Sequence, residues 1–357
     1  MVRLSRVETQ ELNRARVLAA ARDEFTERGF RDAKVDQIAE RAELTRGAVY
    51  SNFPSKRALY FAVLAQDAAR APGQQHHPAP GATAAAVLSG FARAWIAELP
   101  LASEERHGAA WLGRDLLPEI AADEHSSQPF SQLISLSAIL LGLCLEQAGA
   151  PDQESPRMVK AAEVALTALT GASQLAAAAP GFADPFALIL ACEKMSGLAL
   201  GDAWQPAHLP HISPARPAGR PWVPRAAIDA LRGEPARLDR DGVVAVLGLH
   251  RLAAIEEALR AAPPTAAVTA VLVTSDPGEL GPLTRLAIAS LGNCLRAAVE
   301  SSAWPRLAII HDESGALATA AGVSAISDAT ETAVRIHAGR IIAQADGYGA
   351  CHAAATV

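Results

Sequence analysis

Apolar positions recur at helical spacing through the first 70 residues and again from about 82 to 200, then give way after about 225 to short β-branched runs between helical stretches. Val17, Leu18, Ala21 and Phe25 form one stripe, while Arg14, Arg16, Arg22, Asp23 and Glu27 fall elsewhere on the wheel. The pattern predicts an amphipathic helix that stops at Gly29. Val35, Ile38 and Ala39 share one face of a second, short helix over 35–42, and a third is predicted from Thr45 to Phe53, with Thr45 as N-cap and Val49 and Phe53 inward. Only Glu43 and Leu44 separate the two. Pro54 and Ser55 then interrupt and cap, and a longer helix follows from Lys56 to about Arg70.

APGQQHHPAPG over 71–81 is a breaker-rich connection. Ala- and Leu-rich stretches near 82–99, 104–124, 128–148, 156–179 and 183–200 predict about five further helices. The spacing of Pro206, Pro210, Pro214, Pro217, Pro221 and Pro224 excludes regular helix or strand, so this stretch reads as a semi-rigid linker or a strap laid on a surface. Beyond it Val243–Leu249, Ala267–Thr274 and Leu307–His311 predict strands, 251–262 and 282–301 predict helices, and 329–337 with 340–345 predict a hairpin across Ala338 and Gly339. The fold class is therefore an all-α N-terminal two-thirds followed by a C-terminal α/β domain with helices on the faces of its sheet. No segment repeats another at a fixed period.

Composition adds bounds. With 357 residues the chain predicts two or three domains, and its 50% hydrophobic content is enough for real cores, while aromatics at 4% favour Ala/Leu-rich helices. The opening MVRLSRVETQELNRAR is charged throughout and no run of about 18 apolar residues lacks charge, so a soluble, cytoplasmic protein with no membrane contact is expected. Cys144, Cys192, Cys294 and Cys351 lie far apart without metal-ligand spacing, which predicts buried reduced thiols, no disulfide, no metal site and no cofactor. The net charge of -6 speaks against a nucleic-acid partner until it is divided. The first 70 residues carry 13 Lys and Arg against 10 Asp and Glu, a balance of +3, which leaves -9 for the rest.

Two short helices joined by a tight turn form a helix-turn-helix, whose second helix can enter a major groove. On that helix Thr45, Arg46, Gly47, Tyr50, Ser51 and Asn52 are polar or small, and the inward face is supplied by Leu44, Ala48, Val49 and Phe53. Arg46 has the reach for guanine O6 and N7, whereas Tyr50, Asn52 and Lys56 can donate to phosphate oxygens without reading sequence. A solvated helix face explains the same residues taken alone. The wider run changes that balance: A-A-x-x-x-F-x-x-x-G-F from Ala20, V-D-Q-I-A-E-R-A from Val35 and L-T-R-G-A-V-Y-S-N-F-P-S-K-R-A-L from Leu44 closely resemble the N-terminal DNA-binding domain of the TetR family of transcriptional regulators.

The resemblance implies a homodimer on double-stranded DNA, its two recognition helices in successive major grooves of a palindromic operator, usually as a repressor released by a small-molecule effector. Arg46 and Gly47 would face bases, Thr45 would cap and touch backbone, and Tyr50, Asn52 and Lys56 would clamp phosphates. Two departures stand out. Glu43 occupies the turn position where the family usually has glycine, and Ala33-Lys34 replace its usual Thr-Ser pair, so a hydroxyl cap is lost while Lys34 becomes a new phosphate candidate. The resemblance also implies a ligand pocket and dimer interface over 82–203, between the DNA-binding domain of 1–70 and the Pro-rich linker of 204–224. The helices near 156–179 and 183–200 suit dimerisation, and Phe91, Trp95, His107, Trp111 and Arg114 are the pocket candidates, each also explicable as packing or solvated surface.

Residues 225–357 resemble the thioredoxin-like fold, especially its peroxiredoxin-type branch, through GVVAVLGLH, AVLVTSDPGELGPL, LAIIHDESGALATAAGV and the hairpin. Such enzymes need a nucleophilic cysteine after the first core strand and usually a proline before the hairpin. Here that region reads Gly248-Leu249-His250-Arg251-Leu252, and Ser324–Thr330 has no proline. The expectation is a binding scaffold and no enzyme. The alternatives are a thioredoxin-like redox enzyme, or a partner-docking domain, tethered to DNA, with Cys294 or Cys351 as the thiols that oxidation would have to reach.

Overall fold

The computed structural model describes residues 5–70, 81–100, 109–148, 156–204, 212–300 and 303–357. It opens with α1 (Arg6–Asp32), α2 (Val35–Arg41), α3 (Arg46–Asn52) and α4 (Lys56–Arg70), close to the predicted spans. Ser5 and Glu8 form a capping box at the start of α1. The helix breaks at Gly29, whose φ of 75° and ψ of 171° belong to glycine, and resumes for a last turn. Phe25, Phe30 and Tyr60 pack ring against ring, with centroids 4.9 to 6.0 Å apart, locking α1 to α4.

The helical middle comprises α5 (Ala84–Ala97), a 3-10 turn (Ala109–Asp115), α6 (Leu116–Ala121), α7 (Glu124–Gln147), α8 (Val159–Ala178) and α9 (Pro185–Met195). The single helix expected near 104–124 is instead a 3-10 turn and a short helix over its described part, because Tyr60 Oη and the Phe30 N–H fasten Leu112 and Asp115 to the four N-terminal helices. α7 begins ahead of its expected start, where Asp123 caps it by accepting from the Ser126 N–H at 3.0 Å, and it carries Pro129 inside, past its first turn. By length and composition α7 could span a bilayer. Leu133, Leu136, Leu140 and Leu141 are nevertheless buried within the protein, as in a core helix.

The rest is α/β: β1 (Arg216–Pro221), β2 (Ile228–Asp229), β3 (Glu234–Pro235), β4 (Gly242–Gly248), α10 (Ile255–Ala261), β5 (Ala267–Val273), α11 (Leu280–Ala298), β6 (Leu307–His311), α12 (Ala316–Ala321), β7 (Glu331–His337), β8 (Arg340–Asp346) and α13 (Ala350–Ala355). The six-stranded sheet has the order β1-β8-β7-β4-β5-β6. β4, β5 and β6 run parallel and the other pairings are antiparallel. Alternation along β4 divides the core: Val243, Ala245 and Leu247 join the side shared with the helical region, and Val244 and Val246 pack toward α12 with Leu317 and Ala321.

The proline-rich stretch differs from its expectation. Arg216–Pro221 is an edge strand on β8, irregular between Pro217 and Arg220. Prolines are tolerated there because an edge needs hydrogen bonds on one side only, and the buried Trp222 then anchors the chain by donating from Nε1 to the Leu238 carbonyl at 2.8 Å. Nor does the sheet hang loosely from the helices. α11 packs against α4, α5 and α7, and one continuous buried cluster runs from α1 to α13.

Candidate nucleic-acid interface

The turn between α2 and α3 holds both helices at a fixed angle. Glu43 adopts φ 55°, so the chain does place a side chain in the left-handed turn position, and its carboxylate meets Arg16 at 2.9 Å. Thr45 caps α3, its hydroxyl accepting from the Ala48 N–H at 3.2 Å. α2 has no side-chain cap at Lys34. Buried Glu24 of α1 compensates: it accepts from the Lys34 N–H at 3.4 Å and pairs with Arg28 and Arg41, both at 3.3 Å.

Val49 and Phe53 are buried and turn the opposite face of α3 outward. That face exposes Thr45, Arg46, Gly47, Tyr50 and Ser51 together, and Lys34 is exposed at the start of α2. Arg46 lies 5.6 Å over the Tyr50 ring and 3.4 Å from Asp36, in a pair more than half exposed and thus weakly held. A Cβ on Gly47 would find only Thr45 Oγ1, at 3.8 Å. Nothing in the protein's own packing demands glycine there.

The other two candidates are more constrained. Asn52 is half-buried and donates to the Ala48 carbonyl at 2.8 Å. Lys56 lies over Phe30 at 4.6 Å and donates to the Arg31 carbonyl at 3.1 Å, and its burial lowers the ammonium pKa. Arg14 escaped the sequence reading. It sits 4.3 Å over Phe53 and donates to the Asn52 carbonyl at 3.0 Å, holding the end of α3 to α1. On a helical wheel it reads as surface charge; only the fold brings it to α3.

Residues 17–63 match the family model described as bacterial regulatory proteins, tetR family. The N-terminal domain is a tetR-type helix-turn-helix. Among curated relatives, the HTH-type transcriptional regulator SrpR of Pseudomonas putida is 45% identical over 65 residues, 18% of this chain and 30% of that protein. UidR of Escherichia coli (strain K12) is 38% identical over 68 residues, 19% of this chain and 35% of that protein. The chain thus spans about a third of the length of these relatives. Two solved structures are similar in shape. A TetR transcriptional regulator from Rhodococcus sp. RHA1 is 20% identical with a TM-score of 0.35, over 55% of this chain and 99% of that one. NalD, the secondary repressor of the MexAB-OprM multidrug efflux pump in Pseudomonas aeruginosa, is 21% identical with a TM-score of 0.34, over 53% and 96%.

Behind the tetR-type domain the pocket candidates scatter. Phe91 and Trp95 stack on α5 at 6.1 Å, with Trp95 Nε1 donating to Ser173 of α8 at 2.9 Å. Trp111 is buried, and its indole N–H finds no partner among the described residues. Arg114 instead packs against Gly29, where a Cβ would lie 2.1 Å from its guanidinium, so the residue is engaged with the end of α1. His107 lies outside the described residues. All four cysteines are buried, and burial pushes the Cys294 thiol up to about 12.

The α/β region grips the tetR-type domain directly. Glu279, at the start of α11, is buried and accepts from Ser55 at 2.7 Å and from Arg57 at 2.5 Å, and Arg57 also pairs with Asp123 at 3.1 Å. Asn293 of α11 donates to the Ala68 carbonyl of α4 at 2.8 Å. A second set holds α10, with Arg260 on Glu146 of α7 at 2.6 Å and Arg157, just before α8, on Glu256 at 2.7 Å.

Proposed function

We propose that the whole chain is a homodimeric, ligand-responsive transcriptional repressor of a palindromic operator. The observation that carries this reading is the outward face of α3, with Arg46, Gly47 and Tyr50 exposed together and no internal packing reason for Gly47. In it Arg46 and Gly47 face bases, Thr45 meets backbone, and Lys34, Tyr50, Ser51, Asn52 and Lys56 serve the phosphates. Dimerisation through α8 and α9 is supported by exposed Val164, Leu175, Phe182, Phe186 and Leu190, a set of large apolar side chains that water covers poorly in a monomer. Phe182 and Phe186 are 74% and 82% exposed.

We read the α/β region as a thioredoxin-like scaffold of the peroxiredoxin type, not an enzyme. Two parallel crossovers followed by an antiparallel hairpin beside β4 support the fold. Gly248–Leu252 without cysteine, and four buried thiols, speak against redox turnover. Its grip on Ser55 and Arg57 favours a role in positioning the DNA-binding helices. The test is capture of genomic fragments by the purified protein, followed by footprinting: a palindromic protected site lost in Arg46→Ala supports the reading, and equal retention of random DNA overturns it.

A further inference from the structure

Between the tetR-type domain and α11 lies an open cleft of about 610 Å³, lined by Arg14, Asn52, Pro277, Gly278, Arg285 and Glu313. Arg14 and Arg285 also line an adjoining recess of about 340 Å³ whose walls are largely apolar: Leu18, Ala62, Ala65, Ile288 and Ala289, with His311 beside them. The two spaces make a polar mouth with a greasy continuation, in the size range of roughly 300–1,000 Å³ usual for small ligands.

The charges in the mouth are unbalanced. Arg14 meets only a main-chain carbonyl and the Phe53 ring among the described residues. Arg285 pairs with Glu313, which is exposed. The lining of the mouth therefore holds two half-buried guanidinium groups and one carboxylate, which pairs with Arg285 alone. Burial lowers the pKa of both, and the charge of Arg14 lowers that of Arg285 further. Burial and Arg285 also push His311 down to about 4, so it is neutral near pH 7 and offers a hydrogen-bonding ring rather than a third charge.

We propose that this cleft binds an amphipathic organic anion, its carboxylate between Arg14 and Arg285 and its hydrocarbon in the recess between α4 and α11. A bidentate carboxylate suits guanidinium geometry and would supply the missing negative charge. A DNA phosphate would also satisfy the arginines, but its sugar neighbours would leave the apolar recess unfilled. Because Arg14 holds the last carbonyl of α3, an anion that draws its guanidinium away competes with the hydrogen bond that seats the recognition helix. That consequence rests on the DNA-binding function proposed above; the binding itself does not.

The experiment is calorimetric titration of the full-length protein, without DNA, with hexanoate, octanoate and decanoate, and with octanol as the neutral control. Affinity should rise about three- to fourfold per methylene, and octanol should bind at least about tenfold more weakly than octanoate, as loss of a charge-assisted pair implies. Arg14→Gln and Arg285→Gln should each weaken octanoate about tenfold or more, and Ala289→Phe, which fills the recess, should affect decanoate more than hexanoate, with circular dichroism confirming that each variant is folded. No binding, no dependence on chain length, or equal binding by both arginine variants would overturn the proposal. So would arginine variants that lose affinity for random duplex DNA while no amphiphile binds, since the cleft would then be a phosphate contact. Binding that follows these rules while DNA affinity stays unchanged supports the site and overturns only its coupling to α3.

Discussion

Replacing Gly47 by alanine separates DNA recognition from folding, and Gly29 provides the contrast within the same domain. At Gly47 the added methyl meets nothing nearer than Thr45 Oγ1 at 3.8 Å, and the backbone is ordinary helix. Alanine exceeds glycine in helix propensity by about 0.5–1 kcal/mol, so the protein should be unchanged or slightly stabilised, nearer the lower figure because Gly47 lies in the first turn. At Gly29 the same methyl is forced into φ 75°, ψ 171°, a region that costs a side chain about 1–3 kcal/mol. It also meets the Arg114 guanidinium at 2.1 Å, the far end of a flexible side chain that can swing aside, so the backbone cost dominates. The assay pairs urea denaturation with fluorescence anisotropy on a fragment that the wild-type protein selects from genomic DNA. Gly47→Ala should keep its denaturation midpoint yet bind that fragment at least about tenfold more weakly, equivalent to roughly 1.4 kcal/mol, with little change on random duplex. Gly29→Ala should lose stability. If Gly47→Ala binds the selected fragment as tightly as wild type, this face of α3 does not meet the bases.

Other consequences are open to direct measurement. Glu279→Ala removes the acceptor shared by Ser55 and Arg57; with one partner buried and the other partly exposed, about 2 kcal/mol of stability should be lost in urea denaturation, below the 3–5 kcal/mol of a fully buried pair. Glu43→Gly relieves a left-handed backbone and removes a carboxylate beside the DNA-facing helices, so affinity for random duplex should rise, with a stability change within about 1 kcal/mol because the lost pair with Arg16 is exposed. Phe186→Asp with Leu190→Asp should convert a dimer to a monomer in multi-angle light scattering; a dimer that survives would place the interface elsewhere. His311 adds a pH dependence. Its folded pKa of about 4 lies below the ordinary 6.5, so the unfolded chain takes up a proton first, and stability should fall as the pH drops from about 6.5 toward 4, by no more than about 3 kcal/mol. His311→Gln should flatten that part of the denaturation profile.

The helices of the tetR-type domain were legible because each is specified by neighbours in sequence. The stripe of Val17, Ala21 and Phe25, the Thr45 cap and the breaking Gly29 act over one or two turns, so local pattern and final structure agree. The strands β4 to β6 were equally plain, since burial on both faces demands continuous β-branched runs such as Val243–Leu247. Arg216–Pro221 was not, because its prolines say only what backbone is forbidden in a central strand; being an edge is a property of the sheet. Arg114 likewise read as a pocket residue until the fold set it against Gly29. The same holds for Arg14, Arg285 and Glu279, each of which looks like surface charge along its own helix. Their partners lie tens to hundreds of positions away, as with Arg57 and Glu279, 222 residues apart. Local periodicity determined the elements and the face of α3. Only the packing of α11 against α4 decided that the α/β region grips the N-terminal helices, because a contact between distant segments leaves no period in either one.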